Sequence, residues 1–580
     1  MNLDKIKSNL KSIKLSYILT RLLTAFVIVS FIRFTISKNS FLDITFYDNF
    51  SFLSHLLCIV VLFLLLCIIK SEKVIKSLLL ISTTIYFFIA SFLGSDSYFA
   101  IGLCLIGSII IYFVDFEKFT LNIKASHMWA IIGVLIIFYI LYVGVLCCFH
   151  HRVYSTTCYD FGIFSQMFYY MKETGKALVT CERDGLLSHF AVHFSPIYYI
   201  LLPFYMIFPS PYTLLILQAL VVASGIIPIV LLCKKFNLSN TVTVIFSFCY
   251  ALYPAFMGGC FYYLHENCFL TPLILWLFYF LEKDNTLCAI VFAFLLFLVK
   301  EDAPVYVAVI ALYYFFAKKN KKVSISIFAL SIVWFICLVF IMGTLGEGVM
   351  ADSRYGEYIY DDGGLFTVIK SVIQNPLFTV KQIFSADKIL FIFNIALPLF
   401  FLPFAIKNPA KLILLIPFIL INLMTNYCYQ SRLGYQYEFG TCAILFFLAI
   451  SNYSELSKNR KTVLLCAMLC SIILFGNTYF NKISVIPHFY NDRERIESFD
   501  EAVSLIPNNK SVSSSTFILP HLTERDILYE LEITEHKYKT DYVVMDLTHT
   551  DTRVSFDDFC NDNYDLIYFK NDTVAVFKKL

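Results

Sequence analysis

Runs of roughly 18 or more apolar residues recur from one end of this chain to the other. No other feature narrows the fold so far. Inside a bilayer every backbone N–H and C=O must find its partner within the segment, so such runs fold as transmembrane helices. Of the 580 residues, 59% are hydrophobic and only 15% are charged. A soluble domain carries about a quarter charged residues, so this chain lacks the polar side chains to cover a water-facing surface. The basic start MNLDKIKSNLKSIK leads into SYILTRLLTAFVIVSFIRFTI. That segment has the length of a span rather than of a cleaved leader, which predicts a retained first helix. The expected class is a polytopic α-helical membrane protein. Its partners include membrane lipids and exclude nucleic acid.

About fifteen transmembrane helices are expected between residues 16 and 478. Lys and Arg in short loops set orientation. KSEKVIK (70–76), CKKF (233–236), AKKNKK (317–322), KNPAK (407–411) and SKNRK (457–461) all fall on the inner face if the N-terminus is cytoplasmic. This holds only if PIYYILLPFYMIF (196–208) does not cross, so it is read as an interfacial or re-entrant helix broken by Pro196 and Pro203. Three parts are then expected: a four-span extension over 1–127, a transmembrane core over 128–478 and an external soluble domain over 479–580. The core carries large external loops at 149–211 and 344–387. In the tail, DRERIESFDEAVSLI reads as a helix and DYVVMDL, DLIYFK and TVAVFKK as strands, with a hairpin turn at Lys570–Thr573. A small α/β domain follows, placed outside the cell, on a multi-pass protein of the cell membrane. Most of the 18 cysteines lie in apolar runs as small hydrophobes. Cys158 and Cys181 share one external loop, where sequence leaves pairing open.

The polar residues near the outer ends carry the chemistry. Asp160 stands in YDFGIFSQ, apolar enough to lie on the membrane surface, where partial desolvation favours proton uptake and suits a general base. His189 and His193 are four apart and share a helix face, without the glutamate of an HExxH site. His265 lies in LHEN. Lys300, Glu301 and Asp302 form KED in a tight outer turn, and Arg432 sits among tyrosines in YCYQSRLGYQYEF. Arginine's planar fork suits a phosphate. Asp160 with Asp184 would admit Mg²⁺ or Mn²⁺, both of which favour oxygen ligands. One base and several cations fit a definite reaction, the attack of an acceptor hydroxyl on a lipid-phosphate-linked sugar. Glycosidases need two carboxylates because an alkoxide leaves; a departing phosphate needs cations instead.

YDFGIFSQ, HFSPIYYILLPFYMIFPSPYTLLILQAL, FLVKEDAPVYVAVIALYY and IPNNKSVSSSTFILPHLTER resemble a prokaryotic family of multi-span membrane proteins of unknown function. That family is similar to the GT-C class of glycosyltransferases, which includes protein mannosyltransferases and aminoarabinose transferases. The resemblance runs from about residue 128 to the C-terminus. It implies a GT-C-like fold, a catalytic acid residue that maps onto Asp160, a polyprenyl-phosphate sugar donor, and an interfacial helix matching 196–208. GT-C enzymes include metal-dependent and metal-independent members. Where the family shows Phe-His-Pro-Glu this chain has Leu264-His265-Glu266-Asn267, which displaces the carboxylate by one and leaves it without an assigned role. The leading expectation is a glycosyltransferase acting on a glycan, lipid or protein acceptor. The alternatives are a transporter or flippase, which wants ionisable residues near the midplane and paired broken helices, and a non-catalytic surface assembly protein.

Overall fold

The computed structural model describes residues 15–36, 51–114, 116, 122–317, 321–346, 354–361, 364–549, 553–570 and 572–580. Among these, eight helices are long and apolar enough to cross a membrane: Leu15–Ile36, Glu72–Gly94, Ser97–Val114, Ala125–Arg152, Pro211–Lys235, Asn240–Phe261, Lys321–Leu345 and Arg460–Thr478. A ninth arises if Pro376–Ile383 and Ala386–Leu399, bent by 62°, form one span. The other expected segments are helical but shorter, among them Phe52–Ile68, Leu270–Glu282, Thr286–Phe297, Ala303–Ala317 and Phe439–Glu455. The segment Pro409–Leu423 runs as 3₁₀ and π turns.

The first helices dock on Arg460–Thr478, where the Ser91 hydroxyl donates to the Ile473 carbonyl at 2.9 Å. An arginine amid apolar side chains needs partners. Arg21 is fully buried and finds them in Glu72 at 2.7 Å and in the Leu66 and Ile69 carbonyls at 3.2 and 2.8 Å.

Short helices run between the two ends of the bundle. Leu270–Glu282 starts beside His265 and ends at Glu282, where Lys235, Asp284, Asn285 and Ser324 line a cavity of about 180 Å³. Thr286–Phe297 returns to Lys300, and Ala303–Ala317 goes back again. Lys235 and the start of Lys321–Leu345 thus share one end, opposite the KED turn.

Residues 196–208 hold no helix of membrane-spanning length. They form a turn over Pro196–Ile200 and a helix over Leu202–Ile207. Six helical residues span about 9 Å, against roughly 30 Å of hydrocarbon. Phe204, Met206, Ile207 and Phe208 stay exposed, as an in-plane apolar face requires.

The tail forms a five-stranded sheet. Strands β1 (Leu178–Val179) and β2 (Leu187–Ser188) pair in the 149–211 loop. The tail then supplies β3 (Val512–Ser514), β4 (Leu528–Glu530), β5 (Tyr542–Asp546), β6 (Tyr564–Lys570) and β7 (Val574–Lys579), in the order β4-β3-β5-β7-β6. β3 is parallel to β4 and to β5, and β7 is antiparallel to β5 and β6. The helix over Arg493–Ser504 and the turn that joins β6 to β7 lie where expected, with the Thr573 amide donating to the Lys570 carbonyl at 3.0 Å. Asn571 falls outside the described residues.

This sheet domain is bolted to the loop after Ala125–Arg152. Arg152 and Tyr154 both reach Asp500 at 2.8 Å. His521 stacks between His151 and Tyr154, with ring centroids 4.0 and 3.9 Å apart. Gln166 donates to the Arg525 carbonyl at 3.2 Å.

Candidate functional site

Asp160 sits in a π-helical turn, Cys158–Gly162, that opens the helix Ile163–Thr174. Tyr159 is extended inside it (φ −72°, ψ 129°), so the turn kinks. Such turns recur at functional sites because they aim side chains a regular helix cannot. The kink is held from outside. Thr516 accepts the Cys158 amide at 3.2 Å, and Leu519 packs so close to Gly162 that a Cβ there would stand 2.7 Å from its Cδ2. Cys158 and Cys181 are free thiols; the Cys158 thiol faces the Cys181 carbonyl at 4.0 Å and no disulfide joins them.

A second strand of the site is the turn that leaves Asn240–Phe261. Tyr263 takes a left-handed backbone (φ +74°), a strain of about 1–3 kcal/mol. Its carbonyl accepts from Gln218 at 2.6 Å and its hydroxyl donates to the Ser155 carbonyl at 3.1 Å. The turn delivers His265 and Glu266 to the centre. His265 Nε2 lies 3.8 Å from Asp160 Oδ2, and its Nδ1 lies 3.2 Å from Glu266 Oε2. Gln436 donates to Asp160 Oδ2 at 3.3 Å.

Glu266 is the hub. It is fully buried, with Lys300 Nζ 2.9 Å from Oε1 and the Tyr198 hydroxyl donating to Oε2 at 2.8 Å. Burial alone would push its carboxyl up. Contact with the His265 ring and the charge of Lys300, with His193 and His189 beyond, overcome that and hold it well below the usual carboxylate range. Lys300 is raised in turn: burial opposes its charge, and Glu266, Glu301 and Asp302 outweigh the burial. Burial, with Lys300 and His193 adding to it, keeps the His265 imidazole neutral despite Glu266. Asp160 keeps about a quarter of its side chain exposed. Burial, then the charge of Glu266, pushes its carboxyl up to about 6.

The remaining candidates divide. His193 pairs with Glu301 at 2.9 Å, which ties the 149–211 loop to the KED turn. Asp302 is pushed up to about 6, first by burial, and its Oδ1 accepts no hydrogen bond. His189 is buried against Glu182 at 2.9 Å, and that carboxylate draws its pKa upward against the effect of burial. The two histidines therefore turn to different carboxylates. Asp184 lies elsewhere, accepting from the Thr534 hydroxyl and, at 2.9 Å, from the Glu535 amide. The expected Asp160–Asp184 donor pair for Mg²⁺ or Mn²⁺ is not assembled, because Asp184 fastens the loop to the sheet domain. Among the described residues, no group of three or more His, Cys, Asp or Glu is placed to hold a metal ion.

Arg432 is exposed near Tyr435. The cation that enters the tyrosine block is Arg354, which sequence reasoning passed over. Its guanidinium lies 3.9 Å over Tyr427 and 5.1 Å over Tyr437, and its Nη2 reaches the Tyr437 hydroxyl at 3.5 Å. Among the described residues its buried Nη1 has no hydrogen-bond acceptor. Arg354, Lys300 and Asp160 all act electrostatically on the Tyr437 phenol.

A family profile described as "Predicted membrane protein (DUF2079)" matches residues 150–563. The chain belongs to that family. No curated protein matches it. Among solved structures, ArnT from Cupriavidus metallidurans bound to undecaprenyl phosphate superposes with a TM-score of 0.51 at 9% identity. The match covers 79% of this chain and 99% of that one. The same protein in the apo state gives 0.46 at 9% identity, with the same coverage. This DUF2079 protein is thus a polytopic helical membrane protein with an ArnT-like, GT-C fold and a small C-terminal sheet domain.

Proposed function

We propose that this protein is an integral-membrane glycosyltransferase that moves a sugar from a polyprenyl-phosphate carrier to an acceptor on the outer face. In this reading all fifteen apolar segments cross, the N-terminus is cytoplasmic, and residues 479–580 form an external domain over the site. The carrying observation is one cluster: a carboxyl raised to about 6 on Asp160, a neutral His265 beside it, and the cations Lys300 and Arg354 around Tyr437. A buried guanidinium nitrogen without an acceptor costs about 1–3 kcal/mol, which favours an anionic ligand.

The chemistry follows. The acceptor oxygen attacks the anomeric carbon, and Asp160 takes its proton. The bond from that carbon to the phosphate oxygen breaks, and the phosphate leaves with the electron pair. Arg354 and Lys300 stabilise the charge that develops on it. His265 has no charge to lose and keeps its ring against the base, while Glu266 holds Lys300 in place. The undecaprenyl phosphate bound to ArnT supports a donor of that class. Replacing Asp160 with Asn is expected to abolish transfer with expression and membrane insertion intact; the carrier-linked sugar then accumulates, as lipid analysis would read. Full transfer by that variant removes Asp160 as the base, and wild-type protein that moves no sugar removes the proposal.

A further inference from the structure

The tail's sheet holds a second polar cavity. The chain passes from β3 to β4 on one side and then back across β3 to β5, so strand order reverses at β3. In open sheets of this kind the loops at the carboxyl ends of the strands diverge at such a reversal and leave a crevice where ligands bind. A cavity of about 340 Å³ lies at that place, lined by Ser515, Glu532, Asp546, Leu547, His549 and Phe556. This is the size of a small-ligand pocket.

Its chemistry is selective. Asp546 is 2% exposed. Its Oδ1 accepts from the Thr548 amide and hydroxyl at 2.9 and 2.6 Å, whereas among the described residues its Oδ2 accepts no hydrogen bond and faces the Arg495 guanidinium 3.7 Å away. Such a carboxylate oxygen out of water is costly unless a donor reaches it. Glu532 adds a second carboxylate, Ser515 a hydroxyl, and Phe556 and His549 add rings. Carboxylates accept from neighbouring hydroxyl groups, rings pack on the C–H face of a sugar, and a buried carboxylate oxygen with no hydrogen bond among the described residues disfavours an anion. The crevice is linked through its strand ends to the turn that carries Asp160. Ser515 is followed by Thr516, which accepts the Cys158 amide two residues before Asp160, and Glu530, at the end of β4, is an electrostatic neighbour of Tyr159.

We propose that this crevice is the acceptor subsite, taking a polyhydroxylated ligand without negative charge and holding it against the turn that carries Asp160. The proposal rests on the transferase reading above. Saturation-transfer NMR on the full-length protein in nanodiscs tests it, with N-acetylglucosamine, glucosamine and glucuronate as probes. At least one of the two non-anionic sugars is expected to show transfer that falls at least tenfold in Asp546→Asn and in His549→Ala, while glucuronate shows none. His549 is exposed, so its variant guards against misfolding of the first. No signal from either non-anionic sugar, an unchanged signal in His549→Ala, or an equal signal from glucuronate overturns the subsite. Asp160→Asn separates the two claims. Sugar binding that persists in it while transfer is lost supports both, and transfer that persists sinks the catalytic reading alone.

Discussion

The contact between Gly162 and Leu519 allows a test of how the base is held. In Gly162→Ala the new Cβ would stand 2.7 Å from Leu519 Cδ2, with the Thr157 carbonyl oxygen and Pro520 Cγ at 3.6 and 3.7 Å. Carbon atoms rest at about 3.5–4.0 Å, so Leu519 must retreat by roughly 1 Å. Leu519 is fully buried and has little room to do so. Overpacking of this kind costs about 1–3 kcal/mol. That cost falls on the docked arrangement of the tail against residues 158–166. The reporter is native: Cys158 is a free, fully buried thiol under that contact. Its alkylation by a maleimide, read by mass spectrometry on the full-length protein in detergent, follows the open fraction. At 1.4 kcal/mol per tenfold, Gly162→Ala should speed Cys158 labelling by roughly 5- to 150-fold, with Cys466 in the bundle unaffected. Leu519→Ala should cost about 2–5 kcal/mol through its cavity. In that background the added methyl has space, and Gly162→Ala should then change the rate less than about threefold. A Cys158 rate within twofold of wild type in the single Gly162 variant, or equal penalties in both backgrounds, would refute the latch.

Three further outcomes are expected. Asp160 acts as a carboxylate, so transfer should rise as pH climbs through about 6 and level off above it. Glu266→Gln removes a charge that raises that carboxyl, so the limb should move to lower pH; a limb that stays or moves up counts against the assignment. Arg354→Ala should weaken the polyprenyl-phosphate donor by roughly 10- to 100-fold, read as KM, since a hydrogen bond to a charged group contributes about 1.5–3 kcal/mol. An unchanged KM would move the phosphate elsewhere. A membrane-impermeant maleimide on intact cells should label exposed Cys560 of the sheet domain, while half-buried Cys288, at the opposite end, reacts only after permeabilisation; the reverse pattern would turn the molecule over.

Apolar length and basic loops made the bundle legible, because both are local signals. The proline pattern of 196–208 likewise foretold a segment broken into short helical pieces. Asp160, His265 and Lys300 were legible as polar residues at span ends, where burial needs a reason. Glu266 was not, since one residue's displacement from the family pattern hid its place between Lys300 and Tyr198. The tyrosine block at 427–437 was found, but with Arg432 in place of Arg354. The guanidinium that stacks there comes from another loop, more than seventy residues earlier, and no local pattern reports such a contact. Strands β3 and β4 were missed because parallel strands of three residues bearing Ser and Glu are too short to show alternation.

Chain order gives the latch a further meaning. The groups that fix the turn around Asp160 come from residues 500 to 526, which follow the last membrane-length helix, Arg460–Thr478, in the chain. A nascent chain with every helix already inserted still lacks them. The turn is therefore fixed only once the tail has folded against it. A molecule halted before that point carries the helices without a fixed Asp160.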